Sequence, residues 1–266
     1  MRVKKGVFYL FICVLFFYSE STFCSDPDYD SYAMVLRLYV NSRGWVDYHM
    51  LQLDREPLDK FVQSLGDVRR TDYELWDKWR KMAFLINAYN ACVLQTVIDN
   101  YPVRPGVLFT FLHPINSIKQ ISGAFGGKRF SMVGENMSLN QIEQMLEDGF
   151  QEPRFRFALA KASRTCPPLR REIYSGAMLD YQLDSQIRRI VNSYLHYRID
   201  PSGKLVYVSA VFRKVASESR YYHGEDQQKV VLFLSSYLSD FDRKLILNEG
   251  YQICFLRQNW KLNCWR

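Results

Sequence analysis

Histidine is scarce in this chain. Four occur in 266 residues, His49, His113, His196 and His223, and none stands at the spacing from cysteine, aspartate or other histidines that builds a metal site. There is no glycine-rich phosphate loop and no serine in a nucleophile elbow, so the common nucleotide-binding and hydrolase signatures are missing. No metal and no cofactor is expected. Past the first two dozen residues, no apolar run reaches the roughly 20 residues that span a bilayer. Nor does any Pro/Gly/Ser-rich linker, low-complexity tract or repeat divide the rest. About 240 unbroken residues are enough for one sizeable core, and a single domain over 25–266 is expected.

The first 24 residues have their own pattern. MRVKK is basic, GVFYLFICVLFFY is an apolar run, and SESTFCS is rich in small residues. Together they read as a cleaved secretory signal peptide, the alternative being an uncleaved anchor. The mature protein is then expected to be secreted and extracellular, with no membrane association. Asn136-Met137-Ser138 is a sequon, which makes Asn136 a glycosylation candidate. The chain carries 35 basic and 28 acidic residues; without Arg2, Lys4, Lys5 and Glu20, 32 and 27 remain. Arg69-Arg70, Arg170-Arg171 and Arg188-Arg189 sit among acids, as on solvated helix faces. No nucleic-acid partner is expected.

Two of the six cysteines fall in the signal, leaving Cys92, Cys166, Cys254 and Cys264. Four allow three pairings. YQICFLRQNWKLNCWR reads as two short strands around a turn, with Cys254 opposite Cys264 as the candidate disulfide of an oxidising compartment. Cys92 and Cys166 are then either paired or free.

Apolar spacing predicts helices over Asp28–Val40, Asp54–Gly66, Asp72–Asn100, Leu179–Tyr197 and Asp226–Leu238. The middle of Asp72–Asn100 is apolar on nearly every side, so this helix is expected at the centre of the domain. Lys128–Val133, Phe155–Ala160 and Leu205–Val211 are predicted strands. SLNQ forms a capping box, with Ser138 as the cap and Gln141 as its partner. The pattern predicts an α+β fold, mainly helical, around a small central sheet.

Two features carry chemistry. Asn87 and Asn90 lie three apart on one side of the apolar helix and must have partners there, either structural ones or a pocket. Cys166 precedes Pro167-Pro168. A strand over Phe155–Ala160 and a helix over Pro168–Tyr174 place its sulfur at a strand–turn–helix bend, beside the helix amino terminus and near Arg164, Arg170 and Arg171. Such a position lowers a thiol's pKa and makes it a candidate nucleophile. A base is harder to find. His113 and His223 are the only histidines in loops, and each reads as a plain surface residue.

Several blocks are similar to the domain-of-unknown-function family 547. They are Gly44-Trp45-Val46-Asp47-Tyr48, Phe84-Leu85-Ile86-Asn87-Ala88-Tyr89-Asn90-Ala91, Ser138-Leu139-Asn140-Gln141-Ile142-Glu143, Phe157-Ala158-Leu159, Ser163 with Cys166-Pro167-Pro168-Leu169, and Trp260-Lys261-Leu262-Asn263. The resemblance runs from about Tyr32 to Asn263 and implies kinship with many secreted members of unestablished activity. It also implies departures. Family members commonly carry histidine where this chain has Gln144 and Arg156, and often cysteine at the position of Lys161. A thiol site served by those histidines would keep Glu143 and Cys166 here and lack its bases; Arg156 could hold a thiolate but could not shuttle a proton at neutral pH.

Two functions follow. The first is a non-catalytic protein that binds a small-molecule or protein ligand in a pocket around Cys166. The alternative is a thiol-dependent hydrolase or acyl-transferase with Cys166 as nucleophile, Arg156 and Glu143 beside it, and Asn87, Asn90, Gln144 and Ser163 around the pocket.

Overall fold

The computed structural model describes residues 26–104, 113–218, 226–248 and 250–265. The expected signal peptide and His223 lie outside them. Helices α1 (Tyr29–Tyr39), α2 (Tyr48–Leu53) and α3 (Glu56–Asp67) lead through the short α4 (Arg70–Leu75) to α5 (Lys78–Ile98). A hairpin of β1 (Phe130–Met132) and β2 (Glu135–Met137) precedes α6 (Leu139–Gly149). Helix α7 (Leu179–Val191) is followed by β3 (Tyr197–Asp200), β4 (Leu205–Val208), α8 (Val211–Glu218), α9 (Asp226–Ser235), α10 (Asp240–Asn248) and β5 (Gln252–Phe255). The fold is α+β and mainly helical, as its sequence pattern predicts.

Its centre, however, is a helix rather than a sheet. Every residue from Met82 to Leu94 is buried, and α5 packs against α2, α3 and α6. A helix apolar on all sides has nowhere else to go. The single helix expected over Asp72–Asn100 is broken at Trp76–Asp77. The Asp77 carboxylate accepts from the backbone N–H groups of Trp79 (2.8 Å) and Arg80 (3.0 Å), restarting the chain as α5. Asp77→Ala should cost about 1 kcal/mol of unfolding free energy in a denaturant titration.

A second apolar cluster lies around the three-stranded sheet, in which β4 pairs antiparallel with β3 and parallel with β5. Phe157 belongs to this cluster and stacks on Phe233 at 5.6 Å, while its neighbours Phe155, Ala158 and Leu159 belong to the first. Phe155–Ala160 is therefore apolar because it runs between two cores.

The strand and helix predicted on either side of Cys166 are not formed. Pro153–Phe157 is a 3-10 turn, and Pro168–Tyr174 has no regular structure. Side-chain amides take the place of secondary-structure partners. The Asn90 amide donates to Ala158 O (2.9 Å) and accepts from Ala160 N–H (2.8 Å), the bonds a neighbouring strand would have made. Asn87 bonds both backbone groups of Tyr174 in the same way (2.7 and 2.9 Å). Gln182 holds Ile173 O and Ser175 N–H, and Gln186 donates to Pro168 O. Buried backbone polar groups must be paired, and here α5 and α7 pair them.

The carboxyl-terminal stretch also departs from expectation. β5 lies along β4, and the chain then crosses the molecule so that Cys264 bridges to Val46. Val46 N–H donates to Asn263 O (2.8 Å), and the Asn263 side chain bonds Tyr48 and Gly44. Cys254 and Cys264 are thus not cross-strand partners, and no disulfide joins any of the four described cysteines. Gly44, at φ +80°, backs onto the Cys166 segment; a Cβ there would stand 2.6 Å from Pro168 Cβ and 2.7 Å from Leu169 N. No described helix is long and apolar enough to cross a membrane. Asn136 is exposed on β2, where an attached glycan would meet no obstacle.

Candidate functional site

Cys166 lies in a thin wall between two cavities. On one side is a cleft of about 270 Å³ lined by Glu143, Arg156, Lys161, Cys166, Ser209 and Lys214, among others. On the other is a larger cavity of about 660 Å³ that also reaches Ser163 and Cys166.

The cleft brings together three of the residues singled out from sequence: Cys166, Arg156 and Glu143. Gln144 is not among them. Successive residues on a helix point about 100° apart, so α6 can turn only one of the pair inward. Glu143 faces the cleft, whereas Gln144 bonds Asp148 (2.8 Å) at the surface and lines a separate concavity. Asn87 and Asn90 line neither cavity; their amides are spent on the backbone of the Cys166 segment. Ser163 lies in the wall itself, its hydroxyl accepting from Gln258 Nε2 at 3.3 Å.

The electrostatics centre on Glu143. Its carboxylate lies 2.6 and 2.8 Å from Lys161 Nζ, 3.6 Å from Arg156 and 3.8 Å from Lys214. Burial alone would raise its pKa, but Lys161, Lys214 and Arg156 outweigh burial and hold it below the ordinary carboxylate value. Arg156 is 5 % exposed and also pairs with Glu147 at 3.0 Å. Its guanidinium thus pairs with two carboxylates of α6.

The surroundings of Cys166 work against a thiolate. Its Sγ is buried, donates to Ser163 O at 2.9 Å and accepts from Ser163 N–H at 3.4 Å. Burial pushes the thiol pKa up, and the contacts with Ser163 and Lys161 offset this only in part. No helix begins at Pro168, so the helix terminus expected there beside the thiol is not formed. Cys92, inside α5, is pushed up further by complete burial.

Among the described residues no histidine lines the cleft. His49 is exposed, and His113 is half-buried outside both cavities. His196 is the exception that sequence reasoning missed: it is 4 % exposed and lines the larger cavity. The only available sign was its place inside the apolar run Tyr194-Leu195-His196-Tyr197. Lys161 was noted only as a departure. Lys214 likewise only departs from the family pattern, and Ser209 and Gln258 carried no signal, because they reach the cleft from distant parts of the chain. Among the described residues no cluster of histidine, cysteine and carboxylate could hold a metal ion.

The family described as "Protein of unknown function, DUF547" matches residues 73–191. These residues carry α5, α6, the Cys166 segment and α7, and over this part the chain is similar to that family. The match does not extend to Gly44–Tyr48 or Trp260–Asn263. No curated protein and no solved structure matches the chain.

Proposed function

We propose that the chain is a secreted, non-catalytic protein that binds a small ligand in the cleft beside Cys166. One observation carries the reading. The thiol is buried, donates to Ser163 O, and shares the cleft with one carboxylate and four cations, Arg156, Lys161, Arg213 and Lys214, but with no described histidine. A nucleophile needs a group that can take its proton near neutral pH, and a carboxylate already neutralised by Lys161 is a poor one. What remains is a small polar concavity whose Glu143, Lys161 and Lys214 can exchange partners with a ligand.

Alkylation of the native protein with iodoacetamide, followed by peptide mapping, tests the non-catalytic half. Cys166 is expected to stay unlabelled from pH 6 to 8 and to react only after denaturation. Rapid labelling near pH 6–7 would restore the thiol-enzyme alternative. A thermal-shift screen of small metabolites tests the binding half: hits should stabilise the wild type and lose their effect in Lys161→Met. Hits indifferent to that change would place the ligand elsewhere.

A further inference from the structure

The larger cavity plays no part in that reading. It opens on the opposite face of the Thr165–Cys166 wall and is enclosed by three separate segments: the turn around Arg43, the wall itself at Arg164, and the last turns of α7 at Arg189. None of its lining residues is acidic.

Eight arginines elsewhere in the molecule are neutralised by carboxylates. Arg55, Arg69, Arg70, Arg80, Arg154, Arg156, Arg170 and Arg243 each form an ion pair. The three that line this cavity form none with any described residue. Arg189 is half-buried and reaches only carbonyl oxygens, Leu169 O (3.3 Å) and Ser42 O (2.5 Å). Arg164 lies over the Trp45 ring at 5.4 Å. His196 stands beside them on the cavity wall, with its Nδ1 buried and without a hydrogen-bond partner.

Three positive charges converging on a concave, partly desolvated surface focus a field that draws in an anion. A guanidinium presents a planar fork of donors suited to oxyanions. Forks arriving from three segments offer more donors than one planar carboxylate can accept, while a tetrahedral oxyanion has acceptors facing several directions. About 660 Å³ also exceeds the needs of a bare ion and falls within the range of small-molecule sites. Trp45, Tyr194 and Leu195 supply apolar wall for an organic body.

We propose that this cavity binds a small organic ester of phosphate or sulfate, its oxyanion held by Arg43, Arg164 and Arg189. The site is independent of the cleft on the other face of Cys166.

Calorimetric titration of the full chain with phenyl phosphate, phenyl sulfate and the neutral benzyl alcohol tests this. Saturable binding of at least one ester is expected, with none of benzyl alcohol, and the stronger of the two esters identifies the ligand class. Arg43 and Arg164 are exposed and their side chains make no hydrogen bond to any described residue, so Arg43→Ala/Arg164→Ala should fold normally, as circular dichroism can check. That variant should weaken ester binding by about tenfold or more, as expected for lost charge-assisted hydrogen bonds. Lys161→Met, in the cleft, should leave ester affinity unchanged. Failure of both esters to bind, or binding indifferent to the two arginines, overturns the proposal without touching the cleft reading.

Discussion

Asn90→Ala should lower the unfolding free energy by about 2–6 kcal/mol, because it strands two buried backbone groups at about 1–3 kcal/mol each. The groups are Ala158 O and Ala160 N–H, which in the native protein meet only the Asn90 amide across 2.9 and 2.8 Å. No strand lies alongside to replace it, and the surroundings are apolar. Asn90→Asp should also be destabilising, since it keeps the acceptor for Ala160 but removes the donor to Ala158 and buries a charge. Urea titration at pH 7 measures both. A loss below about 1 kcal/mol for the alanine variant would mean that the segment finds other partners, and that the amide is not what replaces the sheet.

Acid should destabilise the protein through His196. Burial, reinforced by the charge of Arg189, brings its pKa down to about 4 from the ordinary 6.5. Above pH 6.5 the imidazole is neutral in both folded and unfolded chains and imposes no penalty. As pH falls from 6.5 towards 4 the unfolded chain takes up a proton that the native site refuses, so stability declines across that window. The loss attributable to this one group is about 3 kcal/mol once pH is below 4. Carboxylates held below their ordinary pKa, Glu143 and Asp59 among them, lose their contributions at the lower end of the range as well. The informative quantity is therefore a difference: His196→Phe should show a shallower decline between pH 7 and 4.5 than the wild type. Parallel declines would remove His196 as the cause.

The elements that repeat a simple local rule were legible in the sequence. Ser138 and Gln141 form the reciprocal cap that their spacing predicts, at 3.3 and 3.0 Å, and the apolar heart of α5 is buried where its all-round pattern requires. The Asp77 cap was just as local, but the helix pattern on both sides of it masked the break. The surroundings of Cys166 failed for a deeper reason. Phe155–Ala160 is apolar, short and bounded by a proline, which suits a buried strand; only tertiary structure reveals that it separates two cores and borrows its hydrogen bonds from α5. The proline pair after Cys166 suited a helix start, yet Gln182 and Gln186 hold the segment extended from a helix further along the chain. Glu143, Arg156 and Cys166 do meet. Their electrostatic setting was not legible, because Lys161 and Lys214, whose charges lie against Glu143, enter from segments that no spacing rule connects to it.

The crossing of the carboxyl-terminal stretch also sets an order of assembly. Gly44, Val46 and Tyr48 are synthesised long before their hydrogen-bonding partners at Asn263 and Trp265. Gln258 and Asn259, which wall the two cavities and brace the Ser163–Thr165 turn, arrive equally late. A nascent chain can collapse around α5 while still on the ribosome, but both concavities stay unsealed until the last stretch docks. Pairings this distant in sequence are slow to form, so a newly made molecule should acquire its compact core well before it can hold any ligand.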